Sequence, residues 1–150
     1  MKKLILTIAF LNVFLFGFSQ GVLDVRMIES YNHIIKKGYK LKFKPILDEL
    51  NSNIVSTLEI PFSANETYLL FAACDKNCHN LSLVIEDNFG EVYEGNVHFD
   101  LNDLGIEILD RAYEVFKPKY SGSNNAKVIM RNCETEKCTY SLAIYVENEL

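Results

Sequence analysis

The chain has 150 residues, the length of one ordinary domain, and is 49% hydrophobic and 23% charged, which excludes a disordered chain. Acidic residues outnumber basic ones 20 to 15, a formal charge of −5. That balance argues against a nucleic-acid binder, which needs a basic face for phosphates.

Met1-Lys2-Lys3 is a short basic lead. Leu4 through Phe18 is then apolar except for Thr7, Asn12 and Gly17. Gly17 and Ser19 are small residues placed for a cut before Gln20. The pattern predicts a secretory signal peptide over residues 1–19. The apolar run is short of the roughly 20 residues a membrane span needs, and no basic stop-transfer cluster follows it. No cysteine stands at the cut, so a lipoprotein anchor is not expected. Cleavage removes Lys2 and Lys3 and no acid, leaving about 131 residues with a charge near −7. The expected location is the periplasm or the exterior of a bacterial cell.

Residues 22 to about 37 read as a helix. Val25, Ile28, Tyr31, Ile34 and Ile35 recur at spacings of three and four, a face expected to lie against the rest of the domain. Lys36 and Lys37 suit the last turn, and Gly38 suits the stop. Residues 39–53 read as irregular, with Pro45, a turn at Asn51-Ser52-Asn53, and a short strand where Leu41 and Phe43 alternate with lysines. The segment 20–53 is therefore taken as a helix and lead-in to a sandwich over 54–150.

From residue 54 the pattern changes to period two. Strands are expected at 54–62, with Pro61 marking an edge or end, and at 67–73, apolar on both faces and therefore central. Further strands are expected at 81–86 and 91–94, at 106–109 and 112–116 as two strands or one broken strand, and at 126–131 and 139–146. Residues 63–66, 87–90 and 117–125 read as turns, and 95–104 as a polar loop. Seven or eight short strands at turn-marked intervals predict an all-β domain with one N-terminal helix, an antiparallel jelly-roll-like β-sandwich.

Cys74, Cys78, Cys133 and Cys138 all lie in the exported part, where an oxidising compartment favours disulfides. Four cysteines allow three connectivities. Pairing across the two units closes loops of about 60 residues, worth roughly 4 kcal/mol per bond against roughly 2 for each local bond. Proximity favours Cys74–Cys78 and Cys133–Cys138, each closing its own hairpin around a polar tip. A four-thiolate zinc site with His79 alongside is the competing use, although the spacings are looser than the usual knuckle. A catalytic cysteine is a weaker reading still, because His79 directly follows Cys78.

The run Tyr68–Glu86 with Cys74-Asp75-x-x-Cys78 and Asn80-Leu81-Ser82-Leu83, then Asp87-Asn88-Phe89-Gly90, resembles a bacterial exported β-sandwich of the pre-peptidase C-terminal (PPC) type. Phe116-Lys117-Pro118, Ser121-Gly122, Met130-Arg131-Asn132-Cys133 and Cys138-Thr139-Tyr140 extend the resemblance to about residues 54–147. It implies an accessory or binding sandwich. It also implies calcium held by aspartates near these turns. Asn80 and Ser82 stand where that aspartate pair is expected, and calcium prefers charged carboxylate oxygens.

Asp100, Asp103, Glu107 and Asp110 form an acidic cluster, read as a solvated loop, with a cation or ligand site and an acid–base pair as the functional alternatives. His98 beside it reads as a surface or structural residue and not a catalytic one. Nucleophile-elbow, P-loop and dinucleotide-binding glycine patterns are absent. Asn65 and Asn80 begin glycosylation sequons that a bacterial chain is not expected to use. Tyr93, Tyr113 and Tyr120, where exposed, would suit a sugar- or protein-binding platform. The expected function is an exported, non-catalytic module without a cofactor, binding a protein, a glycan or envelope material. The alternatives are a small hydrolase using the 98–110 loop, or a metal-binding module.

Overall fold

The structure is a computed structural model and describes residues 23–92 and 111–148. Helix α1 covers 23–36. It is followed by β1 (Tyr39–Leu41), β2 (Ile46–Asn51), β3 (Val55–Phe62), β4 (Tyr68–Cys74), β5 (Cys78–Glu86), β6 (Arg111–Phe116), β7 (Gly122–Cys133) and β8 (Lys137–Glu147). One sheet has the order β1-β8-β4-β6, with β2 also paired to β8; the other has the order β3-β7-β5. Every one of these pairings is antiparallel.

The two sheets enclose one core. Leu70 and Ala72 of β4 and Tyr140, Leu142 and Ile144 of β8 meet Leu83 and Ile85 of β5 and Val128 and Met130 of β7. This is the expected antiparallel β-sandwich. The alternate residues Leu69, Phe71 and Ala73 of β4, with Ala143 and Tyr145 of β8, point outward into a second core closed by Leu23 and Ile34 of α1. The domain is thus layered helix, sheet, sheet. β4 is buried along its whole length because both of its faces are covered, which is why its sequence lacks alternation. Each fully buried Leu or Phe there contributes about 1.5–3 kcal/mol. Strand β3, which carries Pro61, lies at a sheet edge as expected.

Three readings are corrected. Residues 39–51 are largely strand: Tyr39 to Leu41 pair with Glu147 to Tyr145, and Ile46 to Asn51 pair with Leu142 to Lys137. Lysine and acid side chains on these short edge strands broke the apolar alternation, while the partner strand supplied the order. Residues 122–125 begin β7 and do not form a turn, because Phe62 to Glu59 pair with Gly122 to Asn125. Helix α1 does lie on the domain, but through Leu23 and Ile34, with Met27 partly buried, while Val25, Ile28, Tyr31 and Ile35 are exposed. Val92 forms one isolated bridge to Glu86. The remainder of the predicted 91–94 strand, the 106–109 strand and residues 1–22 lie outside the described residues.

The predicted stops hold. Gly38 takes φ +93°, and its N–H donates to the Ile35 carbonyl at 3.1 Å, closing α1. The Asp87–Gly90 turn has its Asp87 Oδ1 accepting from the N–H groups of Phe89 and Glu91 at 2.8 and 2.9 Å, with Gly90 at φ +81°.

Candidate functional site

The four cysteines meet at one end of the sandwich as Cys74–Cys78 and Cys133–Cys138, each with a Cα separation of 5.9 Å. The local pairing is therefore the one formed, but neither bond closes a hairpin. β4 and β8 belong to one sheet, β5 and β7 to the other. Each disulfide spans a short connection that crosses between sheets, so the two bonds tie the layers together at the same end. Cys78 also stands opposite Cys133 in the β5–β7 register, which stacks the two crossings. With every described sulfur paired, no thiolate remains for the four-cysteine zinc alternative.

Asp75, between the sheets, organises this end. It is only 3% exposed. Its Oδ1 accepts from the Asn77 N–H and its Oδ2 from the Thr139 N–H, both at 2.9 Å. Its own N–H donates to the Thr139 carbonyl at 2.9 Å. Arg26 of α1 donates to the Asp75 carbonyl at 3.0 Å and to the Cys74 carbonyl. The helix, the first crossing and β8 are therefore joined through one carboxylate and one guanidinium, and the Glu134 N–H, donating to the Asn77 carbonyl at 2.8 Å, ties in the second crossing. The β2–β3 turn joins them too: Ser52 Oγ accepts from the Cys133 N–H at 2.7 Å, and Asn53 adopts φ +63°.

Asp100, Asp103, Glu107 and Asp110, with His98 and Tyr93, lie outside the described residues. At the position of the expected calcium turn, Asn80 is exposed and Asp87 commits Oδ1 to two backbone donors. Among the described residues no group of three or more His, Cys, Asp or Glu is arranged to hold a metal ion. Tyr113 packs beside the helix-side core, while Tyr120 is exposed. His79 is exposed and pairs with Glu134 at 2.7 Å.

At the opposite end lies a polar cleft of about 470 Å³ lined by Lys40, Asn65, Glu66, Thr67, Lys117, Glu147 and Asn148. Lys42 Nζ donates to Glu66 Oε1 at 2.6 Å, and the Tyr68 hydroxyl donates to the other Glu66 oxygen. Those two donors hold the Glu66 carboxyl below the usual carboxylate range. Burial, and then the bond to Glu66, push Tyr68 up to about 12. The cleft therefore presents the fixed Glu66 carboxylate beside Glu147, Lys40 and Lys117, a lining suited to polar or ionic groups, with the Tyr68 hydroxyl buried behind it. Sequence reasoning passed over these residues because they come from β1, the β3–β4 turn and the ends of β6 and β8. No short motif spans such a set.

No protein-family model matches the chain, and no curated protein matches it. The fold and geometry define the class on their own: a disulfide-clamped β-sandwich with a helix on one outer face. Among the described residues no helix is long and apolar enough to cross a membrane.

Proposed function

We propose that the chain is an exported, non-catalytic β-sandwich module, related to the PPC type, with a binding or accessory role at the cell envelope or outside the cell. The observation that carries this reading is the pair of disulfides binding the two sheets at one end. Such bonds persist in oxidising compartments, and the apolar leader at Leu4–Phe18 supplies the route there. A clamped sandwich is a rigid frame on which surface residues hold a fixed arrangement for a partner.

The test is retention of the exported protein on a panel of polysaccharides and envelope extracts. Saturable retention by at least one fraction is expected. Hydrolysis of a substrate panel that vanishes when Asp100, Asp103, Glu107 or Asp110 is replaced overturns the reading in favour of an enzyme.

A further inference from the structure

Two features meet at the end of the sandwich away from the disulfides: the polar cleft, and the two most exposed large apolar side chains among the described residues. The cleft crosses the ends of four adjacent strands. In sheet order it runs from Lys40 on β1, through Glu147 at the end of β8 and Glu66 ahead of β4, to Lys117 just after β6. At about 4.8 Å per strand the row is roughly 14 Å long. The Glu147 N–H donates to the Thr67 carbonyl at 2.9 Å, which fixes the middle of the row. The volume of about 470 Å³ falls within the roughly 300–1,000 Å³ of small-ligand sites.

The two exposed rings are Phe89, 81% exposed, and Tyr120, 67% exposed. Both stand on turns tied to the cleft. Tyr120 lies between Lys117, which lines the cleft, and Ser121, whose Oγ accepts from the Ala64 N–H at 2.9 Å next to the lining residue Asn65. Lys119 reaches Glu91 at 3.1 Å, which brings in the Asp87–Gly90 turn that carries Phe89.

The lining selects among ligands. Carboxylates and ammonium groups share one cleft, so a polyanion meets Glu66 and Glu147, and a polycation meets Lys40 and Lys117. A hydroxyl suits both, because it donates to a carboxylate and accepts from an ammonium. Among the described residues no apolar side chain lines the cleft, so it holds no pocket for an apolar peptide side chain. The exposed rings ask for something different: weakly positive C–H groups that lie against the negative face of an aromatic ring. Hydroxyls around the edge and C–H groups on the face occur together in a pyranose sugar.

We propose that this end of the sandwich binds an uncharged oligosaccharide. Its hydroxyls meet Glu66, Glu147, Lys40 and Lys117, and a ring face stacks on Tyr120, with Phe89 extending the platform. This rests on the reading of the chain as an exported binding module and names the ligand class.

The test is affinity electrophoresis of the exported protein, beginning at Gln20, through native gels containing a soluble neutral polysaccharide (β-glucan, arabinoxylan or galactomannan) or a charged one (polygalacturonate or dextran sulfate). Retardation is expected in at least one neutral gel and in neither charged one. Tyr120→Ala should weaken it on the order of tenfold. Glu147→Gln with Lys117→Met should weaken it on the order of tenfold or more. Thermal unfolding should stay close to wild type in both variants, because all three side chains are exposed. Lys76→Ala, exposed at the disulfide end, should be retarded as wild type.

Retardation that survives both the Tyr120 and the cleft substitutions overturns the proposal, and so does retardation by the charged polymers alone; either leaves the binding-module reading standing. Retention on envelope extract that is lost when the extract is treated with protease, without retardation by any polysaccharide, also overturns it and assigns a protein partner. Failure on every polysaccharide and extract overturns both.

Discussion

Replacing Asp75 by alanine should destabilise the domain far more than the loss of one surface turn residue. The carboxylate is buried and accepts two backbone N–H groups, that of Asn77 in the first crossing and that of Thr139 on β8. Removing it leaves both donors at the sheet crossing without that acceptor, and each buried unsatisfied donor costs about 1–3 kcal/mol. The expected loss is about 3 kcal/mol, in the lower half of the roughly 2–6 kcal/mol that two such donors span, because Asn77 and Thr139 are only half-buried and water reaches them. In a domain of this size that lowers Tm by about 10 °C. Asp75→Asn keeps one oxygen acceptor but turns an amide N–H₂ towards the second donor, so it should cost about half as much. The assay is urea unfolding under non-reducing conditions, with both disulfides verified by mass, so that the corner is probed with its covalent ties intact. A loss below about 1 kcal/mol for Asp75→Ala, or equal losses for the two variants, would show that the corner does not depend on this carboxylate.

Replacing Cys74 and Cys78 together by alanine should cost about 2 kcal/mol, the entropy of a short loop; in long-range pairing the same change would break both bonds, so a loss above about 4 kcal/mol in urea unfolding would contradict the local pairing. Burial raises the Glu114 carboxyl, so above its folded titration point the charged side chain weakens the fold. Glu114→Gln should therefore raise Tm at pH 7 and leave it nearly unchanged at pH 4; a lower Tm at pH 7 would contradict this. Tyr68 and Tyr145 are both pushed up to about 12, chiefly by burial. Their protonated forms stabilise the fold fully below pH 10, and that contribution is lost as pH rises towards 12. Tyrosinate absorbance should show late-titrating residues whose ionisation coincides with unfolding. Glu66 has the opposite sign: its lowered carboxyl stabilises the fold above its ordinary value of 4.5, and that contribution fades as pH falls. Lys42→Met should therefore flatten the acid side of a Tm–pH curve.

The sequence makes legible what repeats along the chain. The continuous apolar run at 67–73 marks β4 as central, Pro61 marks an edge, and Gly38, Asn53 and the Asp87–Gly90 turn mark their own stops. The cysteine pairing is also legible, because near neighbours in sequence are near in space. What each bond joins is not, since a five-residue step looks the same whether it turns within a sheet or crosses between two. The helix shows why periodicity misleads. Val25, Ile28, Tyr31 and Ile35 form a regular apolar stripe, yet the side that the sheet accepts is centred on Leu23 and Ile34. Spacing gives the stripe, and only the tertiary partner decides which part of it is covered. Asp75 stands in the polar tip between Cys74 and Cys78, and its role as the post of a three-element corner appears only when β8 and α1 are brought beside it.

We propose that this sandwich is exported, and its two sheets are tied at one end by two local disulfides. Non-reducing mass spectrometry of the protein recovered from outside the cytoplasm, followed by proteolytic mapping, tests it most directly. The predicted result is a chain beginning at Gln20, four hydrogens lighter than its reduced form, with Cys74 joined to Cys78 and Cys133 joined to Cys138. A chain that retains its leader and carries four free thiols, or peptides joined from one crossing to the other, would contradict it.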